Sequence, residues 1–544
     1  MTERVKTPSQ IPFIIGNEAC ERFSYYGMRN ILTTFLPASV LLAYLPKDER
    51  EGAASTVFHT FAMGVYFFPL LGGWLADRFF GKFNTILWFS LLYCVGHGFL
   101  AVFDQSRLGF YSGLFLIAFG AGGIKPLVAS FVGDQFDQRT KHLAKVVYDA
   151  FYWSINLGSF FASLLMPIFL RKMGPSVAFG IPGVLMLVAT IVFYLGKGRY
   201  IVVRPAPPNP NSFFNVCKTA LRQGGAGQVL FWLGTAIAVT LVALSVTWFT
   251  SPVWIMKYIK PAEAIGLALV VFLACSASGV ANQLEHARGV HSDEAVDGVR
   301  AILRVLIVFA LVTPFWTLFD QKASTWVYQG HRMTQPTWFE SAQMQLINPA
   351  LVMLLIPFNN LVLFPWLRKR GYQLTTLARM TTGMALAGMS FVVVFCFQLI
   401  LDGEHATTQH PGDLWIYWQL LPYILLTMAE VLVSATGLEF AYSQAPLAMK
   451  GVIMSFWNLT VTIGNLWTLL AKQSVQSKAV TSRIESAGLS ATAFLMIFFA
   501  MFALLAALAF RAYARRYKPV DHYHDRAPAP GVAPTIPRAT AREK

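Results

Sequence analysis

The feature that most constrains this chain is a series of apolar blocks about as long as a bilayer is thick. Residues 86–103, 177–195 and 491–510 each supply one such block. A helix crosses the hydrocarbon core with about 20 apolar residues. Hydrocarbon also demands that backbone groups be satisfied internally, which a helix does by itself. Block length and flanking loops give about twelve main spans, plus two more in the middle of the chain. The expected fold class is therefore an all-α polytopic membrane protein with about 14 transmembrane helices. Only 13% of the 544 residues are charged and 55% are hydrophobic, whereas a soluble domain carries roughly 25% charged residues. The first apolar block is too long, and too polar on one face, to be the core of a removed signal peptide.

The blocks divide the chain. The first six spans occupy residues 11–195, within an N-terminal half of residues 1–196. A linker follows at 197–227, rich in Pro, Asn and Gly, with Lys197, Arg199, Arg204, Lys218 and Arg222 as its basic residues. The two extra segments lie around 229–248 and 262–284, within 228–286. A polar connection at 286–300 leads into six further spans at 301–513, within a C-terminal half of residues 287–518. The Pro- and Ala-rich tail, 519–544, has the composition of a disordered segment.

The net charge of +16 raises the question of nucleic acid, and its distribution answers it. Basic residues gather near Arg78 and Lys82, at 139–145, in the linker, at 368–379, and at Arg511, Arg515, Arg516 and Lys518. The alternate connections at 47–51, 104–107 and 402–413 are short and neutral or acidic. This is the positive-inside pattern, which places the basic loops and both termini in the cytoplasm. The partner implied is a lipid bilayer, not nucleic acid. Cys20, Cys94, Cys275 and Cys396 lie in apolar segments and Cys217 in a basic loop, with neither metal spacing nor a disulfide framework.

Charges inside the spans carry the functional information. Each costs several kcal/mol at the bilayer centre, so each is expected to face a cavity or a partner. Glu18, Glu21, Arg22, Tyr25, Tyr26 and Arg29 fall within an arc of roughly 140° on the first helix. Lys125 follows a glycine-rich run, GAGGIKP at 120–126, whose small residues let helices approach closely. Asp320 ends the run TPFWTLFD at 313–320, Glu430 lies in another span with Ser434 one turn on, and Asn156 and Asn348 are further buried polar candidates.

Taken around one cavity, Glu18, Glu21, Asp320 and Glu430 face Arg22, Arg29 and Lys125: four acids against three bases. This count assigns Lys322 and Glu439 to helix ends, within reach of water or headgroups. One carboxylate then lacks a basic partner. Burial favours its neutral form, which makes it a natural proton carrier. Both signs of charge also suit a zwitterion: Arg and Lys for a carboxylate, Glu430 for an ammonium. Tyr26, Tyr66, Tyr152, Trp316 and Trp457 are candidates to line a cavity for varied side chains.

Several runs resemble the proton-dependent oligopeptide transporter family of the major facilitator superfamily, in its bacterial type. EACERFSYYG at 18–27 matches that family's ExxERFxYYG motif. GWLADRFFGK at 73–82 resembles the facilitator loop motif, with the one extra residue typical of the peptide-transporter branch. GGIKP at 122–126, FYWSIN at 151–156 and FWTLFDQ at 315–321 also look like family segments, in the family's order. The resemblance covers residues 12–510. It implies two six-helix halves with substrate bound between them, an inserted central helix pair as in bacterial members, and no large extracellular domain at 402–413.

The resemblance also implies roles. Glu18, Glu21 and Arg22, with His59, would handle the proton. Arg22 and Lys125, with Arg29 nearby, would hold a peptide carboxylate. Glu430, Asn156 and Asn348 would hold its amino end. Arg29 with Asp320 would close the outer side, and Lys125 with Glu430 the inner side. The expected activity is uptake of di- and tripeptides with protons across a bacterial inner membrane, by a single chain, without cofactor or metal. A family relative carrying nitrate, a modified amino acid or a peptide-like drug is the alternative. One departure stands out: Ala435, Thr436 and Gly437 follow Ser434 where many members have a proline before a glycine pair. No HExxH, GxSxG or His-Asp metal cluster supports a membrane enzyme.

Overall fold

The computed structural model describes residues 7–517, apart from 137–139, 141–142, 204, 206–208, 248–259, 373, 408–413 and 445–448. The expected disordered tail, part of the basic loop at 139–145 and the second half of the 402–413 connection lie outside the described residues. The helices in chain order are α1 (Ile11–Ala38), α2 (Lys47–Phe67), α3 (Pro69–Leu75), α4 (Gly81–Val102), α5 (Arg107–Asp134), α6 (Ala144–Met173) and α7 (Pro175–Leu195). Then follow α8 (Phe213–Arg222), α9 (Ala226–Thr247), α10 (Pro261–Gln283), α11 (Asp293–Phe319), α12 (Thr325–His331), α13 (Ile347–Phe358) and α14 (Phe364–Lys369). The last six are α15 (Thr376–Thr407), α16 (Leu420–Glu430), α17 (Thr436–Gln444), α18 (Lys450–Val475), α19 (Lys478–Ser486) and α20 (Ala491–Ala514).

Eleven segments are long and apolar enough to cross a membrane. One of them, Lys47–Val102, has 56 residues, more than twice the roughly 20 that one crossing needs. It divides at a π-helical turn, Ala76–Phe80, followed by Gly81 in the left-handed region at φ 73°. Neither α1 nor α18 is among the eleven, although each is long enough to cross, with 28 and 26 residues. Polar side chains dilute their hydropathy, and those side chains are buried inside the protein. With the split and these two, the described residues make fourteen crossings, as the apolar blocks predict.

Two large apolar clusters hold the structure together. One joins α1 to α7, with Tyr25, Phe58, Phe110, Phe131, Phe179 and Phe193 fully buried in it. The other joins α11 to α20, around Phe315, Trp326, Phe391 and Phe499. The fold is that of a major facilitator: two six-helix halves facing one another. Between them in sequence, α9 and α10 pack as a hairpin in which Gly227 and Gly279 abut backbone to backbone. The linker is less extended than its composition suggests. Its segment α8 buries Phe213, Val216 and Ala220 in the second cluster, while Tyr200, upstream, packs on Phe83, Phe131 and Phe193 of the first half.

The halves also touch through polar ties. Thr33 donates to the Ala323 carbonyl at 2.8 Å, and Lys472 Nζ donates to Ser55 Oγ at 2.5 Å. Arg171 pairs with Glu340 at 2.7 Å, and Gln343 donates to the Leu164 carbonyl at 2.9 Å.

Candidate functional site

Helix α1 packs against α2, α6 and α7 and buries Glu18, Glu21, Arg22, Tyr25 and Arg29 of its polar stripe. Arg22 Nε donates to Glu18 Oε1 at 2.6 Å and lies 3.0 Å from Glu21 Oε2. One guanidinium thus serves two carboxylates. Glu21 is completely buried, and neither of its oxygens accepts a hydrogen bond from a described residue. Two turns further on, Arg29 Nη2 donates to Asp320 Oδ1 at 2.5 Å. This ion pair joins the two halves.

Asp320 owes its position to a break in the helix. α11 ends at Phe319, residues Asp320–Ala323 form a 3₁₀ turn, and Ser324 (φ −131°, ψ −83°) redirects the chain into α12. The second Asp320 oxygen accepts from Asn465 Nδ2 at 2.7 Å, and Asn465 Oδ1 faces His59 Nδ1 at 2.7 Å. A carboxylate only accepts hydrogen bonds, so the network orients the Asn465 amide nitrogen toward Asp320 and its oxygen toward His59. His59 Nδ1 is therefore the donor, and Nε2 accepts from Ser324 Oγ at 3.1 Å. Asn465 is missing from the sequence-derived set, although it is an amide inside an apolar helix.

Lys125 is delivered by glycine packing. A side chain at Gly123 would collide with the Phe89 ring, and one at Gly122 with Phe68. α5 consequently lies hard against α3 and α4, and it runs unbroken through Pro126. The Lys125 ammonium sits 3.5 Å over the Tyr25 ring and 5.0 Å from the Tyr66 ring centre. Cation–π attraction holds it there. The expected Lys125–Glu430 pair is not made: the ammonium rests on tyrosine faces, and Glu430 has another partner.

That partner is Asn348. Glu430 ends α16 where the helix opens into a π-helical turn, Val431–Ala435, just where the chain departs from the expected proline–glycine pattern. Asn348 Nδ2 donates to Glu430 Oε2 at 2.6 Å and approaches Thr427 Oγ1 at 3.1 Å. Asn348 Oδ1 accepts from Lys322 Nζ at 2.8 Å. Lys322 does not reach water or headgroups; it is 4% exposed. The 3₁₀ turn that follows α11 folds it inward beside Asp320 instead of letting it continue along a helix. Glu439, by contrast, is exposed. The central set is four acids and four bases, so no surplus carboxylate follows from the count alone. The imbalance is local, at Glu18 and Glu21 around Arg22.

The remaining candidates lie around this centre. Trp316 and Trp457 are buried with ring centres 6.2 Å apart, and Gly437 gives Trp457 its place, since a Cβ there would overlap the indole. Tyr26 packs edge-on against Tyr25 at 5.2 Å. Tyr26, Tyr66 and Ser434 are half-buried and Tyr152 is exposed. Asn156 turns back to the Tyr152 carbonyl at 2.9 Å and is not joined to Glu430. The first half supplies basic and tyrosine side chains to this centre, and the second half supplies a carboxylate–amide pair with Lys322 behind it. Among the described residues, no three His, Cys, Asp or Glu side chains cluster as a metal site.

This geometry has relatives. The POT family model matches residues 83–487. The chain belongs to the POT family. A structure described as an auto-inhibited POT family peptide transporter is 57% identical, covers 95% of this chain and 98% of its own, and superposes with a TM-score of 0.89. The POT family transporter PepTSo is 56% identical, with coverage of 94% and 99% and a TM-score of 0.87. Peptide transporter 3 of Caenorhabditis elegans is 33% identical over 412 residues, which is 72% of this chain and 51% of that protein. The chain spans about half the length of the animal POT relatives it matches.

Proposed function

We propose that this chain is a proton-coupled symporter that imports di- and tripeptides by alternating access. The observation that carries the reading is the division of charge across the interface of the halves. Arg22 and Lys125 belong to one half and the Glu430–Asn348 pair to the other, which supplies both signs that the two ends of a zwitterion require. Kinship supports it, since similar structures and relatives are named peptide transporters. In this reading Glu18, Glu21 and Arg22 handle the proton, with His59 linked through Asn465 to the outer pair Arg29–Asp320. Arg22 and Lys125, with Arg29 nearby, hold the peptide carboxylate, and Glu430, Asn348 and Asn156 hold its amino end. Tyr26, Tyr66, Tyr152, Trp316, Ser434 and Trp457 line the cavity.

In this reading the polar ties between the halves lie toward the outside, and the arrangement is taken as the outer-closed state. The Lys125–Glu430 pair then belongs to the inner-closed state, where Lys125 leaves its tyrosines. Both termini and the linker face the cytoplasm of a bacterial cell, the protein resides in the inner membrane, and one chain suffices. The 1–196 and 287–518 halves rock about the central site, flanked by the 228–286 pair. The deciding test is uptake into proteoliposomes under an imposed proton gradient. Dialanine should accumulate and free alanine should not; equal handling of both, or no gradient dependence, overturns the reading.

A further inference from the structure

A buried lysine stands where an amino group is expected to bind. Lys322 donates at 2.8 Å to the Asn348 oxygen, a neutral acceptor, and the same amide donates at 2.6 Å to Glu430. The amide is thus polarised between an ammonium and a carboxylate. The base of the lysine is anchored, since Tyr423 Oη donates to its backbone carbonyl at 3.3 Å. Its stem crosses the Phe319 face, with Nζ 3.3 Å from the ring centre. Asn348 and Glu430 are half-buried, whereas Lys322 is buried. The lysine sits behind the pair, and only its flexible four-carbon stem is free to move.

We infer that Lys322 is a specificity-determining residue: an internal ammonium that occupies the amino-end site of the empty carrier and must give way to the peptide's own amino group. The inference rests on the proposed function, with Glu430 at the amino end. An arriving ammonium needs Glu430 for charge and further acceptors for its three N–H groups. The Asn348 oxygen is the adjacent acceptor, and Lys322 already holds it. Two like charges then share one carboxylate in a site shielded from water, which disfavours the second. Peptide affinity is consequently weaker than Glu430 alone would give, and departure of the peptide is assisted by the lysine returning. A ligand without a free amino group brings no second cation and escapes this penalty.

The test compares the wild type with Lys322→Gln, Lys322→Met and Lys322→Arg in the full-length chain in proteoliposomes. Two values are read: the KM for dialanine uptake, and the inhibition constant of N-acetyl-dialanine against it. Gln and Met should each lower the KM for dialanine by about three- to thirtyfold and leave the N-acetyl-dialanine constant unchanged. Arg keeps the charge and should stay near the wild-type KM. A KM that is unchanged or raised in both neutral variants overturns the inference. So does a shift of equal size for both ligands, or an arginine variant that matches the glutamine one. If the wild type itself does not take up dialanine, the transport reading fails and the inference with it. Wild-type uptake with an unmoved KM removes the inference alone.

Discussion

Glu21 lies 3.0 Å from Arg22 Nε, yet neither of its oxygens accepts a hydrogen bond from a described residue, while Glu18 takes the 2.6 Å bond from the same nitrogen. Of two carboxylates beside one guanidinium, Glu21 is the less satisfied, and it is completely buried. A proton on Glu21 removes an under-compensated negative charge without breaking a bond. Geometry alone ranks the two glutamates: Glu18 holds the hydrogen bond from Arg22 and Glu21 does not.

Glu21→Gln mimics the protonated state permanently. The variant should lose dialanine accumulation driven by a proton gradient, by at least about tenfold, while keeping exchange of labelled for unlabelled peptide. Both are measured in one liposome preparation. Accumulation against a peptide gradient by Glu21→Gln would remove Glu21 from the coupling step.

The pair Arg29–Asp320 predicts a non-additive effect. Asp320→Asn leaves the Arg29 guanidinium buried without its counter-charge, and Arg29→Gln does the reverse to Asp320. Breaking a buried pair from one side costs about 3–5 kcal/mol, whereas removing both charges costs far less. Each single variant should therefore lower the thermal unfolding midpoint in detergent, and Arg29→Gln with Asp320→Asn should recover most of the loss. Transport should stay impaired in all three, because the neutral double variant no longer ties the halves by charge. Additive midpoint losses in the double variant would show that the two side chains do not act as a pair.

The difference between what was legible in the sequence and what was not lies in chain direction and distance. The stripe on α1 is readable because a helical period of 3.6 residues places Glu18, Glu21, Arg22, Tyr25 and Arg29 on one face whatever surrounds them. The fourteen crossings follow from block length for the same reason. Lys322 is misplaced because nothing in TLFDQKAS announces that α11 stops at Phe319 and folds into a 3₁₀ turn inside the membrane. Extended as a helix, that segment would carry the lysine toward the surface. Asn465 meets His59 across 406 residues of chain, a closure that local patterns do not encode. Lys125 and Glu430 are both recognisable as buried charges, but the tyrosine faces that hold one and the Asn348 amide that holds the other come from distant parts of the chain.

The amino-end assignment predicts selectivity. Glu430→Gln keeps the hydrogen-bonding shape toward Asn348 and removes the charge meant for an ammonium. Dialanine uptake at low concentration should fall by about ten- to a hundredfold, in line with a lost charge-assisted hydrogen bond of roughly 1.5–3 kcal/mol. In the wild type, N-acetyl-dialanine should be a poor substrate. Equal uptake of the two ligands by the wild type, or unchanged dialanine uptake by Glu430→Gln, excludes Glu430 as the amino-end ligand.

The last prediction joins topology to thiol chemistry. Residues 197–227 carry five basic side chains, so loop charge predicts a cytoplasmic linker. Asn209 precedes α8 on an exposed stretch, while Cys217 lies within α8 among apolar neighbours. Burial pushes the Cys217 thiol up to about 12, and only the thiolate reacts, so at pH 7 about one molecule in 10⁵ is reactive there. The reactive fraction rises with pH but stays far below that of an exposed thiol, whose pKa is about 8.5. In a chain whose other native cysteines are replaced, Cys217 should resist maleimide for hours at pH 7. Asn209→Cys in the same background should be labelled within minutes. In intact cells an impermeant maleimide should leave Asn209→Cys untouched until the membrane is broken. Labelling from outside would invert the topology, and rapid labelling of Cys217 would show that α8 does not stay packed against the second half.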